Sequence, residues 1–408
     1  MLNKNFLLLV QARFVSTLGQ QATYIALMYW VMEATGSATQ MGLVAMLGSI
    51  PGLLAGPVGG FMADRYRRKW ILVGCDLFRA VILVVLPLMF WLDAPIEAIL
   101  AYVYFFSFVM AASGSLFLPA AGALLPQLVP KVSLTRANSI HEGSTALTNL
   151  LGQAAGGVLY RLLGPALMFV IDAITYFLSA LSILFIAEPA RSNERETSDS
   201  IVRDFIRDTR EGVGYCWNQI GLRKILLAAL VVNFFAAPTM VLLPLLVDRT
   251  YGLEADWYGY FVALFVGGSI VGMAITGVLN LSGRGRWIGA FTGFTIGGIG
   301  FLAIGMAPPL MFAAGAFFTV GLGTSIMNVS LISRIQSVVD PDMLGRVMAA
   351  VNVLAMAVVP IAMMLAGVIT DALDQNVLPV FIASGVSVLV FAAWLGFDND
   401  IRAYLSGD

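Results

Sequence analysis

A handful of polar side chains stand inside stretches that are otherwise apolar, and their types limit the chemistry open to them. Arg13 lies within Gln11-Ala12-Arg13-Phe14, followed by Gln20, Gln21 and Tyr24. His141, the only histidine, is next to Glu142, and Asp172 sits in Phe169-Val170-Ile171-Asp172-Ala173. Asp76 and Arg79 stand at i and i+3, which predicts a local ion pair. Asn233 and Asn328 are amides in apolar runs of the second half. A guanidinium can hold an anion or pair with a carboxylate. An amide or phenol can hydrogen-bond a guest, and a carboxylate can take up and release a proton. None of this is bond-making chemistry. There is no Ser/His/Asp set, no His-Glu-x-x-His and no phosphate-cradling glycine loop, so an enzyme is not expected. Two cysteines, Cys75 and Cys216, and a lone histidine supply no disulfide framework, no metal site and no reason to expect a cofactor.

The elements that must position these residues follow from composition. Of 408 residues, 59% are hydrophobic and 12% charged, where a soluble domain is about a quarter charged. Such a chain cannot cover itself with polar surface in water. Its net charge of −1 gives no general attraction to nucleic acid. A membrane-crossing helix needs about 20 apolar residues. Twelve such runs are predicted, at 7–32, 40–63, 71–92, 97–120, 140–163, 166–188, 224–247, 256–281, 287–306, 309–332, 347–369 and 377–397. Charged groups at membrane depth are costly and line cavities or pair with one another, so the polar residues above become site candidates. Arg13, Gln20, Tyr24, Asn233 and Asn328 are expected to line a substrate cavity, and Glu142 and Asp172 are the candidates for carrying a proton. Tyr104, Phe105, Phe106 and Phe108 are placed to wall an apolar pocket.

Lys and Arg stay on the cytoplasmic side of short loops. With both termini in the cytoplasm, all of the 23 basic residues except Arg13, Arg161 and Arg249 fall in or near cytoplasmic loops. The two sets of six runs are related. At an offset of 217, Gly42 meets Gly259, Gly60 meets Gly277, Arg67 meets Arg284 and Trp70 meets Trp287. The expected organisation is an all-α membrane protein with a six-helix bundle over 1–188, a linker with a short surface helix over 189–223, and a second bundle over 224–408. Duplicated bundles suit a transporter that rocks about a central site, and a chain with its own two-half pathway is expected to act as a monomer.

Between the second and third runs stands Gly60-Phe61-Met62-Ala63-Asp64-Arg65-Tyr66-Arg67-Arg68-Lys69. It resembles the major facilitator superfamily signature G-x-L-A-D-R-x-G-R-K, with Arg67 where the family usually has Gly. The resemblance implies the twelve-helix major facilitator fold and a gating role for Gly60, Asp64, Arg65, Arg68 and Lys69, with the Asp64 carboxylate latching one state at a helix N-terminus. Gly60 is expected to let helices approach closely. The second-half copy, Gly277 to Trp287, has no acid. Leu118 to Pro130, then Leu134 and Arg136-Ala137-Asn138, and Arg210-Glu211-Gly212 before the seventh run, resemble the branch that holds macrolide efflux proteins and the enterobactin exporter. That branch implies a proton-coupled exporter of hydrophobic or amphiphilic small molecules, acting by alternating access in a bacterial inner membrane. Its partners would be the substrate, protons and membrane lipid. Two features depart from the antiporter pattern. The fourth run has no basic residue, and Gly152-Gln153-Ala154-Ala155-Gly156-Gly157 has Gln where the family motif has Pro. A lipid flippase of the same fold is the alternative reading, and a non-transporting membrane sensor a more distant one.

Overall fold

The computed structural model describes the backbone of residues 3–54, 56–187, 201–279 and 281–407; positions 189–200 of the expected linker, and 188 before it, lie outside the described residues. The described residues are helical with short connections, and no strand occurs among them. The chain forms two compact units: Met1–Gly36 with Leu43–Arg203, and Ser37–Gly42 with Asp204–Asp408.

The first unit starts with α1 (Lys4–Thr35). Asn3 caps it, accepting from the Phe6 amide at 2.9 Å and donating to the Leu128 carbonyl at 2.6 Å. Gly36 ends it in the left-handed region at φ 59°. The second expected run is broken into α2 (Ala38–Leu47), α3 (Ile50–Leu54) and α4 (Gly56–Arg65). Pro51 and Pro57 each lack the N–H that a continuous helix needs. Then come α5 (Arg68–Trp91), α6 (Ile96–Leu128) and α7 (Leu134–Leu184). The last covers two expected spans, separated at Gly164, whose φ of 70° and ψ of 170° no residue with a Cβ adopts readily, followed by Pro165.

The second unit holds α8 (Ile201–Asn218), α9 (Ile220–Ala236), α10 (Pro238–Val241), α11 (Leu243–Leu245), α12 (Asp256–Leu279), α13 (Arg284–Gly305), α14 (Leu310–Val338), α15 (Pro341–Ala357), α16 (Val359–Ala372), α17 (Leu378–Phe397) and α18 (Asn399–Ser406). Among the described residues nine helical segments are long and apolar enough to cross a membrane, one of them the double-length Lys131–Leu184. The 32-residue α1 is not among them; Arg13, Gln20, Gln21 and Thr23 interrupt its apolar run.

Within a bilayer, lipid tails compete with apolar side chains, so close packing of small residues holds helices together. In the first unit α1 lies along α7, where a Cβ on Gly152 would come 2.6 Å from Gln21 Cβ and one on Gly156 2.8 Å from Ile25 Cβ. In the second unit a Cβ on Gly321 would strike the Phe265 carbonyl, which brings α12 and α14 together. The Arg210-Glu211-Gly212 stretch has a packing role as well: Glu211 accepts a 2.8 Å bond from Arg346, and Gly212 lies against the Arg346 carbonyl. Cys216 of α8 joins the buried cluster of Leu222, Ile335 and Val347, which ties α8 to α9, α14 and α15. Within the second unit, which includes Ser37–Gly42, Asp371 at the end of α16 accepts from the Ala38 and Thr39 amides at 2.8 and 2.9 Å and from the Ser37 hydroxyl at 2.6 Å, capping the start of α2.

Candidate functional site

The first unit encloses a cavity of about 310 Å³. Gln20, Gln21, Thr23 and Tyr24 of α1 form one wall, and Phe106, Ser107 and Met110 of α6 another. Gly48 and Ser49, at the break between α2 and α3, border it; interrupted backbone at membrane depth is tolerated where it lines a cavity. Asp172 also lines it and is 1% exposed. Thr175 donates to its Oδ1 at 3.1 Å.

Gln20 and Gln21, adjacent on α1, differ in what they can do. Gln21 donates to Asn149 at 3.1 Å and accepts from Gln153 at 3.3 Å, so its amide is occupied by α7. Gln20 is exposed. The Gln of the altered Gly152-Gln153 motif thus forms part of an amide ladder between α1 and α7, and the two glycines beside it allow the approach.

Behind the cavity lies a buried polar cluster that sequence reasoning treated only as a local pair. Asp76 of α5 is fully buried, and Arg79 is 4.0 Å away. Ser179 of α7 donates a 2.6 Å bond to Asp76 Oδ2. The Arg79 guanidinium carbon lies 5.3 Å from the ring centroids of both Phe117 and Tyr176, and that of Arg13 lies 5.9 Å from Phe117, a geometry in which the ring faces stabilise the cations. Asp76 Oδ1 and Arg79 Nε have no hydrogen-bond partner among the described residues. The available signal was the presence of an acid and a base at membrane depth; contact with Ser179 could not be read from spacing.

The predicted residues separate accordingly. Gln20, Tyr24 and Asp172 share the cavity. Arg13 does not line it; its Nη1 donates to His141 Nε2 at 2.8 Å, leaving Nδ1 as the protonated nitrogen of a neutral ring. Glu142 is exposed near the start of α7. Phe106 lines the cavity, while Phe105 and Phe108 are exposed. In the second unit Asn233 donates to the Ala229 carbonyl of its own helix at 2.8 Å, and Asn328 is exposed on α14.

In the motif, Asp64 is the penultimate residue of α4; its side chain lies outside the described residues. Gly60 does not mediate close packing, because a Cβ there would meet nothing within 4 Å. The neighbouring Gly59 does, with Pro119 Cγ 3.2 Å from its would-be Cβ. Helical rotation turns these adjacent positions about 100° apart, so one faces α6 and the other does not. Arg65 is exposed, with its guanidinium carbon 5.7 Å from the Phe61 centroid. Arg68 donates to the Ala63 and Ala123 carbonyls at 3.3 and 3.1 Å, and Lys69 to Ile186 at 2.8 Å. In the second unit Arg286 repeats the Arg68 arrangement one residue out of the sequence register. It donates to Leu281 O, also five residues back, at 3.3 Å and to Ser337 at 3.2 Å.

The Major Facilitator Superfamily model matches residues 9–363. The chain belongs to the major facilitator superfamily. It is a multi-pass membrane transporter and not an enzyme. It is 23% identical over 396 residues to macrolide efflux protein A of Streptococcus pyogenes, covering 95% of this chain and 94% of that protein. It is 26% identical over 387 residues to the multidrug efflux pump Tap of Mycolicibacterium fortuitum, covering 90% and 89%. The fold matches that of a bacterial homolog of the human lysosomal transporter Spinster, with TM-score 0.76, 15% identity and coverage of 98% and 97%. It also matches a mutant of the nucleoside transporter NupG, with TM-score 0.75, 11% identity and coverage of 97% and 100%.

Proposed function

We propose that this transporter is a proton-coupled exporter of amphiphilic organic molecules, preferentially those bearing a protonated amine. The observation that carries the reading is the buried Asp172 carboxyl in a cavity it shares with the amides Gln20 and Gln21, the aromatics Tyr24 and Phe106, Met110 and small hydroxyl and aliphatic side chains. Aromatic and thioether surfaces accept apolar bodies of varied shape, Gln20 and Tyr24 hydrogen-bond polar substituents, and Asp172 holds one positive charge. A proton and a cationic guest compete for that carboxyl, which couples release of one to capture of the other. Glu142 is exposed near the start of α7 and does not line the Asp172 cavity, so the proposal places the proton on Asp172. Similarity to macrolide and multidrug efflux proteins supports export and the substrate class.

The remaining assignments belong to the same proposal. The two six-helix halves alternate access, both termini face the cytoplasm, the membrane is the bacterial inner membrane, and Asp64 latches one state. The protein acts as a monomer.

The test is uptake of a cationic dye by inside-out vesicles, with and without a protonophore. Uptake is expected to collapse with protonophore. Asp172→Asn is expected to abolish the dependence on the proton gradient, and Asp64→Asn to abolish transport in protein that still inserts. Protonophore-insensitive uptake overturns proton coupling, an unchanged gradient dependence in Asp172→Asn removes the proton from that residue, and near-normal transport by Asp64→Asn removes the latch.

A further inference from the structure

Asp172 lines the cavity, and the helix that carries it leads from there to a second carboxyl. Asp172, Tyr176 and Ser179 stand at i, i+4 and i+7 on α7, which places them on one face. Ser179 holds Asp76 of α5 through its 2.6 Å bond. The helix rises about 10 Å from Asp172 to Ser179, several hydrogen-bond lengths, so a proton passes between the two carboxyls only through a group between them. Tyr176 has that place. It is fully buried and does not line the cavity.

The surroundings of Tyr176 are polar and incompletely paired. Its hydroxyl lies beside the Arg79 guanidinium without meeting hydrogen-bond geometry, and Asp76 Oδ1 and Arg79 Nε are likewise unbonded among the described residues. Buried polar atoms of this kind are met by ordered water. The Arg79 guanidinium carbon is 5.3 Å from the Tyr176 ring centroid, and its charge acts on both Asp76 and Asp172. One buried cation between two carboxyls is balanced when one of them holds a proton, and charge balance does not fix which. The other groups facing the acids come from three helices. Thr23 of α1 and Thr175 face Asp172, and Ser179 faces Asp76, all as hydroxyls. Cys75 is a buried thiol next to Asp76. Arg13 of α1, half-buried and tied to His141, adds its charge on the Asp76 side.

We propose that Tyr176 and Asp76 form a proton route out of the cavity, so that a cationic guest arriving at Asp172 sends the proton of that carboxyl through the Tyr176 hydroxyl and bridging water to Asp76. The Asp172 acid gives up its proton, the Tyr176 oxygen receives one as it passes its own on, and the Asp76 carboxylate becomes the acid. Asp172 ends ionised against the guest, Tyr176 ends as a phenol, and no proton is gained or lost until Asp76 releases it toward the Arg13–His141 end of the unit. The route rests on the proton coupling proposed for Asp172 and extends it.

The experiment uses the full chain in proteoliposomes with a cationic dye as probe. Two rates are compared: uptake driven by an imposed proton gradient, and exchange of dye at equal pH on both sides, which moves no net proton. Tyr176→Phe keeps the ring beside Arg79 and removes only the hydroxyl. It is expected to lower driven uptake relative to exchange about a hundredfold, the low end of what a positioned proton-transfer group contributes. Asp76→Asn is expected to lower the same ratio to a similar extent. An unchanged ratio in Tyr176→Phe, even where both rates fall together, overturns the route and leaves the coupling at Asp172 intact. A ratio lowered in Tyr176→Phe but not in folded Asp76→Asn removes Asp76 as the acceptor and also overturns it. If Asp76→Asn fails to fold, Tyr176→Phe still decides whether the hydroxyl carries the proton. Wild-type uptake that ignores the imposed gradient overturns instead the coupling on which the route rests.

Discussion

Ser179 donates a 2.6 Å hydrogen bond to Asp76, 103 residues earlier in the chain and on another helix. The bond joins α5 to α7 in the buried interior of the first unit, where Asp76 also faces Arg79 at 4.0 Å. Neither charge can reach bulk water, so each depends on the other and on the hydroxyl for compensation.

Breaking this pair from one side is expected to be costly. Asp76→Ala leaves Arg79 buried without its counter-charge and is expected to destabilise the protein by about 3–5 kcal/mol. The double variant Asp76→Ala/Arg79→Met is expected to be more stable than the sum of the two single losses, with a coupling of about 0.5–3 kcal/mol. Thermal unfolding in detergent of the four proteins measures this directly. Additive losses would show that the pair contributes nothing as a pair.

The approach of α1 to α7 rests on Gly156, and no larger residue fits there without moving a helix. A Cβ would lie 2.8 Å from Ile25 Cβ and 3.1 Å from the Ala22 carbonyl. Gly156→Leu is expected to lower stability by about 1–3 kcal/mol through overpacking, and to disturb the cavity wall that α1 supplies. Gly143→Ala on the same helix, where nothing lies within 4 Å of the added methyl, is expected to be neutral or stabilising. Equal melting temperatures for wild type and Gly156→Leu would refute the packing argument.

Acid should loosen the end of the second unit. Burial alone would raise the Asp398 carboxyl, but the Lys224 ammonium at 2.6 Å and the Ile401 and Asp400 amides outweigh it and hold the group below its ordinary value of 3.8. A carboxylate lowered by folding contributes stability that is fully present above its unfolded value and is lost as the pH falls through the folded one. The expected window is therefore at and below about pH 4. Melting temperature against pH should show the acid limb in the wild type and a shallower one in Lys224→Met. Identical limbs would remove the clamp from the account.

Much of the architecture was legible because a bilayer makes length and apolarity decisive. The helical spans, the break at Gly164-Pro165 and the relation of Trp70 to Trp287 follow from composition, from residues that cannot continue a helix, and from a repeat offset. Family membership was legible for a similar reason, since Gly60 to Lys69 lie consecutively in the chain. The second span was less legible, because Pro51 and Pro57 only permit a break, and the cavity beside Gly48 and Ser49 makes one tolerable. The candidate site was legible in residue type: Gln20, Tyr24 and Asp172 stood out as polar groups at membrane depth, and they share one cavity. Which of two neighbours faces that cavity was not legible. Gln20 differs from Gln21, and Gly59 from Gly60, by the rotation of a helix about its own axis. That rotation is set by packing against residues more than a hundred positions away in the first case, Asn149 and Gln153, and by α6 in the second. Local sequence determined that these helices form and span; only the tertiary structure decided which face each presents, because no backbone hydrogen bond within a helix depends on how it is turned.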